Sequence, residues 1–317
     1  MIKIIALGEL LIDFIQNGTG ENGNPLYEAN PGGAPCNLLA MAQKLANETT
    51  FIGKVGNDAF GKQLEATLKK VGISIKGLVK TSDVGTTISI VSHDNSGDRS
   101  FSFYRGADSF LSEEDINSKL FKDKDVFHFG TLSMTNEICK KATLKAIKIA
   151  KENNLIISCD PNLRENLWPN LNQARDAFKE SFKLCNILKI SDNELLWFTG
   201  INNLDLAIEK LRQDYSIDLI LLTLGKAGSR AYYKNYYANA ETFLNVPCVD
   251  STGAGDSFMG SALSEIMNLG LENLNNENLK EILLFANAAA SLVANKKGVI
   301  TIIPSLDEIK RLKETAI

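Results

Sequence analysis

The segment Val249-Asp250-Ser251-Thr252-Gly253-Ala254-Gly255-Asp256-Ser257-Phe258 joins an apolar run to a helix-forming stretch through two glycines, with an acid directly behind them. Gly253 and Gly255 reach backbone angles closed to other residues, so successive N–H groups from Gly253 through Ala254 to Gly255 can turn inward as an anion nest. The helix predicted to follow, through Met259, Ala262, Leu263 and Ile266, adds its N-terminal partial positive charge to the same spot. A phosphate suits that spot, and Asp256 in the first turn is placed to accept the proton of a hydroxyl that attacks phosphorus. The plainer alternative is a loop in which Asp256 only caps a helix. A dinucleotide fingerprint would need a third glycine at position 258, where Phe258 stands.

Other residues point to related chemistry. Asp160-Pro161-Asn162-Leu163-Arg164 begins where the apolar run Leu155 to Cys159 ends. The planar fork of Arg164 matches phosphate oxygens, the alternative being a surface salt bridge. Asp13 follows the first apolar run and has apolar neighbours, a costly place for a carboxylate unless it is paired or binds a ligand; a turn or cap is the other reading. Gly56-Asn57-Asp58-Ala59-Phe60-Gly61-Lys62-Gln63 nearly spells a Walker A loop but ends in Gln63, where a Ser or Thr should ligate magnesium. The better reading has Asp58 capping a helix from Ala59 onward.

Three strings together carry a family resemblance: Asp250 to Phe258, Pro31-Gly32-Gly33-Ala34-Pro35-Cys36-Asn37, and Gly53-Lys54-Val55-Gly56-Asn57-Asp58-Ala59-Phe60-Gly61. The chain resembles the ribokinase-like (PfkB) sugar kinases from Ile4 to about Pro304. The resemblance implies transfer of the γ-phosphoryl group of ATP, with Mg2+, to a sugar hydroxyl. It implies Asp256 as general base, with Gly253, Ala254, Gly255 and Arg164 around the phosphoryl group. Asp13 would accept hydrogen bonds from sugar hydroxyls, Gly32 and Gly33 would let the backbone approach the sugar, and Asn37 would offer a donor and an acceptor. Arg105 would reach a sugar oxygen or cover the entrance. On the nucleotide side the resemblance implies Lys189, Thr223, Gly225 and Gly228 beside Gly253 and Gly255. Asn287 would lie on a small-residue helix against adenine, although close helix packing explains its alanine neighbours equally well. Glu194 would organise the magnesium shell through water, in a segment where Ser191 replaces the usual Asn of the family's N-x-x-E motif. A potassium-type site would use backbone oxygens around Asp250 and Thr252.

Within the family, Gly8-Glu9-Leu10-Leu11-Ile12-Asp13-Phe14, Phe103-Tyr104-Arg105, Asp160 to Arg164 and Lys189-Ile190-Ser191 look most like fructokinases. The nearest alternative is 2-keto-3-deoxygluconate kinase, whose acidic substrate needs extra cationic or tyrosine contacts at the lid; Phe103 weakens it. A reading of a different class is a catalytically inactive sugar-binding regulator on the same fold, against which Asp256 stands, since binding alone needs no base there.

The elements that must position these residues follow from the apolar pattern. Ile2 to Leu7, Thr50 to Val55, Val126 to Phe129, Leu155 to Cys159, Ile187 to Ile190 and Leu219 to Thr223 have the length of buried parallel strands. Helical stretches alternate with them, among them Leu38 to Leu45, Lys62 to Val71, Ile138 to Glu152, Asn172 to Phe182 and Leu204 to Asp214. The pattern predicts an α/β fold, a three-layer α/β/α sandwich with a mostly parallel central sheet, whose ligands bind beyond the C-terminal strand ends. Leu11 to Glu28 and Gly85 to Tyr104, the latter with a turn at Asp94 to Asp98, break the alternation and fit a small β-sheet. The resemblance makes that sheet a lid of residues 13–30 and 85–108 on a core of residues 1–12, 31–84 and 109–317. Tyr232-Tyr233 and Tyr236-Tyr237 around Lys234-Asn235 read as a hairpin.

Composition sets the outer limits. The chain has 317 residues, 44% hydrophobic and 23% charged, enough for one large domain with a small addition. A net charge of -4 argues against a nucleic-acid or anionic-membrane partner and for small molecules, sugar and ATP. Met1 to Gly8 is too short for a signal peptide or membrane span and reads as a strand. Five widely spaced cysteines without a C-x-x-C pair suit a reducing cytoplasm, and two histidines are too few for a histidine metal cluster. His128, in an apolar run, is expected in the core. An exposed small sheet leaves strand edges that two subunits could pair, so a homodimer through the lid is expected.

Overall fold

A computed structural model describes residues 1–93 and 99–315. The strands are β1 (Lys3–Leu7), β2 (Leu11–Thr19), β3 (Pro25–Gly32), β4 (Glu48–Gly56), β5 (Ser74–Thr81), β6 (Ile88–His93), β7 (Arg99–Tyr104), β8 (Val126–Phe129), β9 (Ile156–Cys159), β10 (Ile187–Ser191), β11 (Leu219–Thr223), β12 (Ser229–Tyr233) and β13 (Tyr236–Ala240). The α-helices are α1 (Ala34–Lys44), α2 (Ala59–Val71), α3 (Glu137–Glu152), α4 (Leu171–Phe182), α5 (Asp192–Thr199), α6 (Leu204–Asp214), α7 (Ala254–Leu269), α8 (Asn276–Ala294) and α9 (Leu306–Lys313). The turn expected at Asp94 to Asp98 lies outside the described residues.

Short apolar runs buried on both faces form the central sheet because helices cover both sides. Its order is β13-β12-β11-β10-β9-β8-β1-β4-β5. Pairing is parallel from β5 across to β11 and antiparallel from β11 through β12 to β13. The period of two sorts each strand between two cores. Ile4 and Ala6 of β1 pack with Leu38 and Leu39 of α1, Leu64 of α2, Leu263 of α7 and Leu283 of α8. Ile5 and Leu7 pack on the other face with Ala146 of α3, Phe178 of α4, Leu195 of α5 and Leu211 of α6. The three-layer α/β/α sandwich is thereby realised. Strand β5 carries no continuous apolar run because it is a half-exposed edge strand, Ser-Ile-Lys-Gly-Leu-Val-Lys-Thr, whose alternation is diluted by two lysines and a glycine.

Chain order reverses at β1: β4 and β5 extend the sheet on one side and β8 returns on the other. Such a switch point opens a crevice beyond the C-terminal strand ends. Over it stands a second sheet of order β3-β2-β6-β7, as the two irregular stretches predicted. Its first two strands start at Leu11, as the sheet-forming stretch does, and run on to Gly32, so they exceed the lid bounds of residues 13–30 by two residues at each end. Residues Gly106 to Asp108, expected in the lid, instead form the buried root of it, with Ala107 and Asp108 enclosed. The sheet touches the core through Phe14, whose ring meets Phe60 of α2 edge-on at 5.6 Å. Among the described residues no helix is long and apolar enough to cross a membrane.

Candidate active site

Helix α7 begins as its sequence dictates. Gly253 takes a left-handed φ of 71° as N-cap, and no side chain caps the turn. A Cβ on Gly253 would lie 2.5 Å from the methyls of Val299, so glycine is required here for space as well as for angle. The Ala254 N–H donates to the Ser251 carbonyl at 3.2 Å, which takes it out of the expected nest and leaves Gly253 and Gly255 as the candidate anion donors. A Cβ on Gly255 would sit 2.9 Å from Lys189 Nζ, so the lysine ammonium lies directly against this turn.

Asp256 follows in the first turn, 9% exposed. Its carboxylate is held from two sides: Asn37 Nδ2 donates to Oδ2 at 2.8 Å and Asn162 Nδ2 donates to Oδ1 at 3.3 Å. Burial raises the Asp256 carboxyl above the ordinary range, against the two amide hydrogen bonds and the charges of Lys189 and Arg164. Asn37 belongs to the first turns of α1, and its Oδ1 is buried without a hydrogen-bond partner among the described residues, an acceptor that a ligand hydroxyl would satisfy. Asn162 reaches Asp256 from a left-handed φ of 54° just after Pro161. It was not singled out from sequence, though Asn in a turn behind a strand end is the available signal.

These groups share a cavity of about 830 Å³ lined also by Glu9, Asp13, Gly33, Leu132, Arg164, Lys189, Thr252 and Phe103. Most lining segments follow a strand's C-terminal end, open a helix or belong to a strand of the second sheet, as the switch point requires. Asp13 lies on β2 and accepts a hydrogen bond from Ser89 Oγ of the neighbouring β6. Burial raises its carboxyl to about 6, opposed by that bond and by Arg164. Gly33 stands at the N-terminus of α1 and lines the cavity. Gly32 does not: a Cβ there would be 2.2 Å from Asp13 Oδ2, so this glycine makes room for the carboxylate rather than for a ligand. Lys189 is buried in an ion pair with Asp160 at 2.9 Å, and burial pushes the Asp160 carboxyl up to about 6 despite the lysine.

Arg105, Glu194, Thr223, Gly225, Gly228 and Asn287 do not line the cavity, whereas Asp58 and His128 lie where the sequence puts them. Arg105 is held at the lid root by Asp108 at 2.8 Å and by Thr135 Oγ1 at 3.0 Å, away from the cavity lining. Glu194 faces backbone: Oε1 accepts from the Leu163 N–H at 2.7 Å, and Oε2 from the Ser191 N–H and Oγ at 2.9 and 2.8 Å. Ser191 to Glu194 is thus a capping box that ties α5 to the loop bearing Arg164, a pattern readable in Ser-x-x-Glu. Thr223, Gly225 and Gly228 cluster at the exit of β11 outside the cavity lining; a Cβ on Gly228 would collide with the Ala240 carbonyl at 2.0 Å. Asn287 is buried and bonds Ser229 Oγ at 2.9 Å and the Ala240 and Glu241 carbonyls at 3.1 Å, holding α8 to the β12–β13 hairpin. Asp250 folds its carboxylate onto the Thr252 N–H at 2.8 Å. Asp58 caps α2 through the Gly61 N–H at 2.7 Å, which settles the near-Walker segment as a structural turn. His128 is a core residue beside Ser158 Oγ at 2.8 Å, and burial lowers it to about 3.

Glu9, part of the Gly8 to Phe14 string, has a role that only the fold reveals. It is buried between β1 and β2, lines the cavity and accepts from the Ala34 N–H at 2.7 Å; burial raises it to about 7. An acid in an apolar run was the signal, as it was for Asp13.

Comparison with known proteins gives concordant findings. Residues 1–306 match the family model described as pfkB family carbohydrate kinase. The chain is 36% identical to a protein named probable fructokinase-2 of Arabidopsis thaliana over 95% of this chain and 93% of that one. It is also 36% identical to fructokinase-1 of Oryza sativa subsp. japonica over 99% and 98%. A crystal structure of fructokinase with bound ATP from Xylella fastidiosa superposes with a TM-score of 0.90 at 28% identity, covering 98% of both chains. A double mutant of fructokinase from Vibrio cholerae O395, in a form binding fructose, ADP and potassium ion, superposes at 0.88 with 26% identity and 98% coverage of both.

Proposed function

The chain belongs to the pfkB family of carbohydrate kinases, and on that premise we propose that it transfers the γ-phosphoryl group of ATP to D-fructose, giving D-fructose 6-phosphate and ADP. The observation that carries this reading is Asp256: a buried carboxylate in the first turn of an uncapped helix, oriented by two amides, in the cavity that also holds Asp13 and Asn37. Asp256 takes the proton of the attacking hydroxyl. The N–H groups of Gly253 and Gly255, the α7 dipole, Lys189 and Arg164 face the phosphate oxygens as charge develops on them. Asp13 and the unpartnered Asn37 Oδ1 accept hydrogen bonds from sugar hydroxyls.

Charge favours a neutral sugar. Asp13 and Asp256 line the sugar end with Glu9, whose carboxyl is raised to about 7; Arg164 is the cation acting on Asp13, while Lys189 lies against the α7 turn and Arg105 is tied to Asp108. A substrate carboxylate such as that of 2-keto-3-deoxygluconate would face carboxylates there, and Phe103 supplies no hydroxyl to it. Among the described residues no group of three or more His, Cys, Asp or Glu could hold a metal ion. Magnesium therefore fits as a companion of the nucleotide, held by phosphate oxygens and water, where it offsets phosphate charge. Backbone oxygens around Asp250 and Thr252 are our candidates for a potassium ion. Free thiols at Cys36, Cys139, Cys159, Cys185 and Cys248 fit a reducing cytoplasm.

A coupled assay of ADP release with a panel of sugars tests the reading. Fructose should give the highest kcat/KM; a higher value with 2-keto-3-deoxygluconate would move the substrate and keep the kinase, and no ADP release with any sugar would leave a binding protein. Activity should vanish in EDTA and return with magnesium.

A further inference from the structure

Two helices bring their N-termini to the cavity. α7 arrives at the phosphate end without a side-chain cap, and α1 arrives at the sugar end with Gly33 as its N-cap, a residue that has no side chain to cap with. Glu9 supplies the missing acceptor from another element, taking the Ala34 N–H at 2.7 Å. The fit is close on the backbone side as well, because a Cβ on Gly33 would lie 2.4 Å from the Glu9 carbonyl oxygen. One turn on, the Asn37 N–H donates to the Gly33 carbonyl at 2.9 Å, and Asn37 Nδ2 donates to Asp256 Oδ2 at 2.8 Å. Ala34 and Asn37 are three residues apart, on one face of α1. A tilt of the first turn would therefore carry Asn37 with it and change its hold on Asp256.

We propose that Glu9 is a positioning residue for phosphoryl transfer, fixing the first turn of α1 through the Ala34 N–H and thereby the amide of Asn37 that orients Asp256. The inference rests on reading Asp256 as the base. Glu9 acts by hydrogen bond and not by charge, so an amide of the same length does its work. The charged and titratable groups around it are Asp108, Arg105, Cys36 and Cys139; of these only Cys36 lies in the first turn of α1, between Ala34 and Asn37, and burial raises its thiol well above the ordinary range, so it adds no charge there.

Glu9→Asp keeps the carboxylate but withdraws it by one methylene from the Ala34 N–H, whereas Glu9→Gln keeps the acceptor in place. Steady-state kinetics with fructose and ATP should show Glu9→Asp lowering kcat about 10–100-fold, the scale on which ångström misplacements act, with KM for ATP unchanged. Glu9→Gln should recover most of that loss. In an Asn37→Ala background Glu9→Asp should cost little more, because both act on the same bond. The proposal is overturned if Glu9→Asp lowers only the melting temperature and leaves kcat intact, if Glu9→Gln is as poor as Glu9→Asp, or if the Glu9 and Asn37 losses multiply. Asp256→Asn, assayed alongside, separates the two levels: near wild-type turnover there removes the base assignment itself, whereas a dead Asp256→Asn beside a fully active Glu9→Asp removes this inference alone.

Discussion

Asp256 combines two demands that pull apart. It must be ionised to take a proton, yet burial raises its carboxyl, and the amides of Asn37 and Asn162 with the charges of Lys189 and Arg164 oppose that rise. Asp256→Asn should leave the fold and much of the fructose affinity while lowering turnover by roughly 10²–10⁴-fold, the worth of a positioned base. Fructose affinity by calorimetry and turnover by the coupled assay check both halves, and near wild-type turnover would sink the assignment. Glu9 allows a prediction about stability. Its carboxyl is raised from 4.5 to about 7, so between those values the folded chain keeps a proton that the unfolded chain has lost. That contribution to stability is complete below pH 4.5 and is lost as pH rises through 7. Urea unfolding should therefore show Glu9→Gln gaining on the wild type as pH climbs from 4.5 to 7; parallel curves would contradict the raised value.

At the scale of elements, the site is an arrangement of ends. Strand exits, two helix N-termini and two lid strands each contribute one or two groups, so small shifts of any element misplace the chemistry. The root of the lid is a heavily bonded junction of this kind. Asp58 caps α2 through the Gly61 N–H and, with the same carboxylate, holds the Thr86 N–H and Oγ1, each at 2.7 Å, just before β6 begins. Thr87 Oγ1 accepts from the Gly106 N–H at 2.6 Å, and Asp108 binds Arg105, closing the other arm. Asp58→Ala should cost about 2 kcal/mol, the upper end for an N-cap, since three bonds go at once. A loss under about 0.5 kcal/mol in urea unfolding, the size expected of an ordinary surface change, would mean that the root is held elsewhere.

For the molecule as a whole, the second sheet covers the cavity and carries Asp13 and Phe103 into it. Phosphoryl transfer to a sugar competes with transfer to water, and a sheet that closes on the sugar excludes that water. We expect saturating fructose to slow hydrogen exchange in residues 11–32 and 85–108, and ATP hydrolysis without sugar to be slow; unchanged exchange in both stretches would rule out a closing lid. The same sheet exposes Leu26, Tyr27 and Tyr104 on its edge strands β3 and β7. Apolar edges of this kind suit pairing with a second copy, and a homodimer joined through the lid is the assembly we propose. Sedimentation should give twice the chain mass, and charged replacements at Leu26 and Tyr27 should return the monomer.

What the sequence by itself determined is whatever depends on local pattern. Buried parallel strands show as short apolar runs, so β8 and β11 were legible to the residue, and Gly253 to Asp256 announced a helix N-terminus with an acid behind it because backbone angle and first-turn position are local properties. The half-exposed β5 lacked that pattern and was missed. Side-chain partnership belongs to the tertiary structure. Only the fold brought Asn37 and Asn162 onto Asp256 across 219 and 94 residues, gave Glu9 the Ala34 N–H as partner, turned Glu194 to the Leu163 backbone and committed Arg105 to Asp108. A residue's type states which bonds it can make, but which of them it makes depends on the groups that chain folding delivers within about 3 Å, and spacing along a chain does not encode that distance.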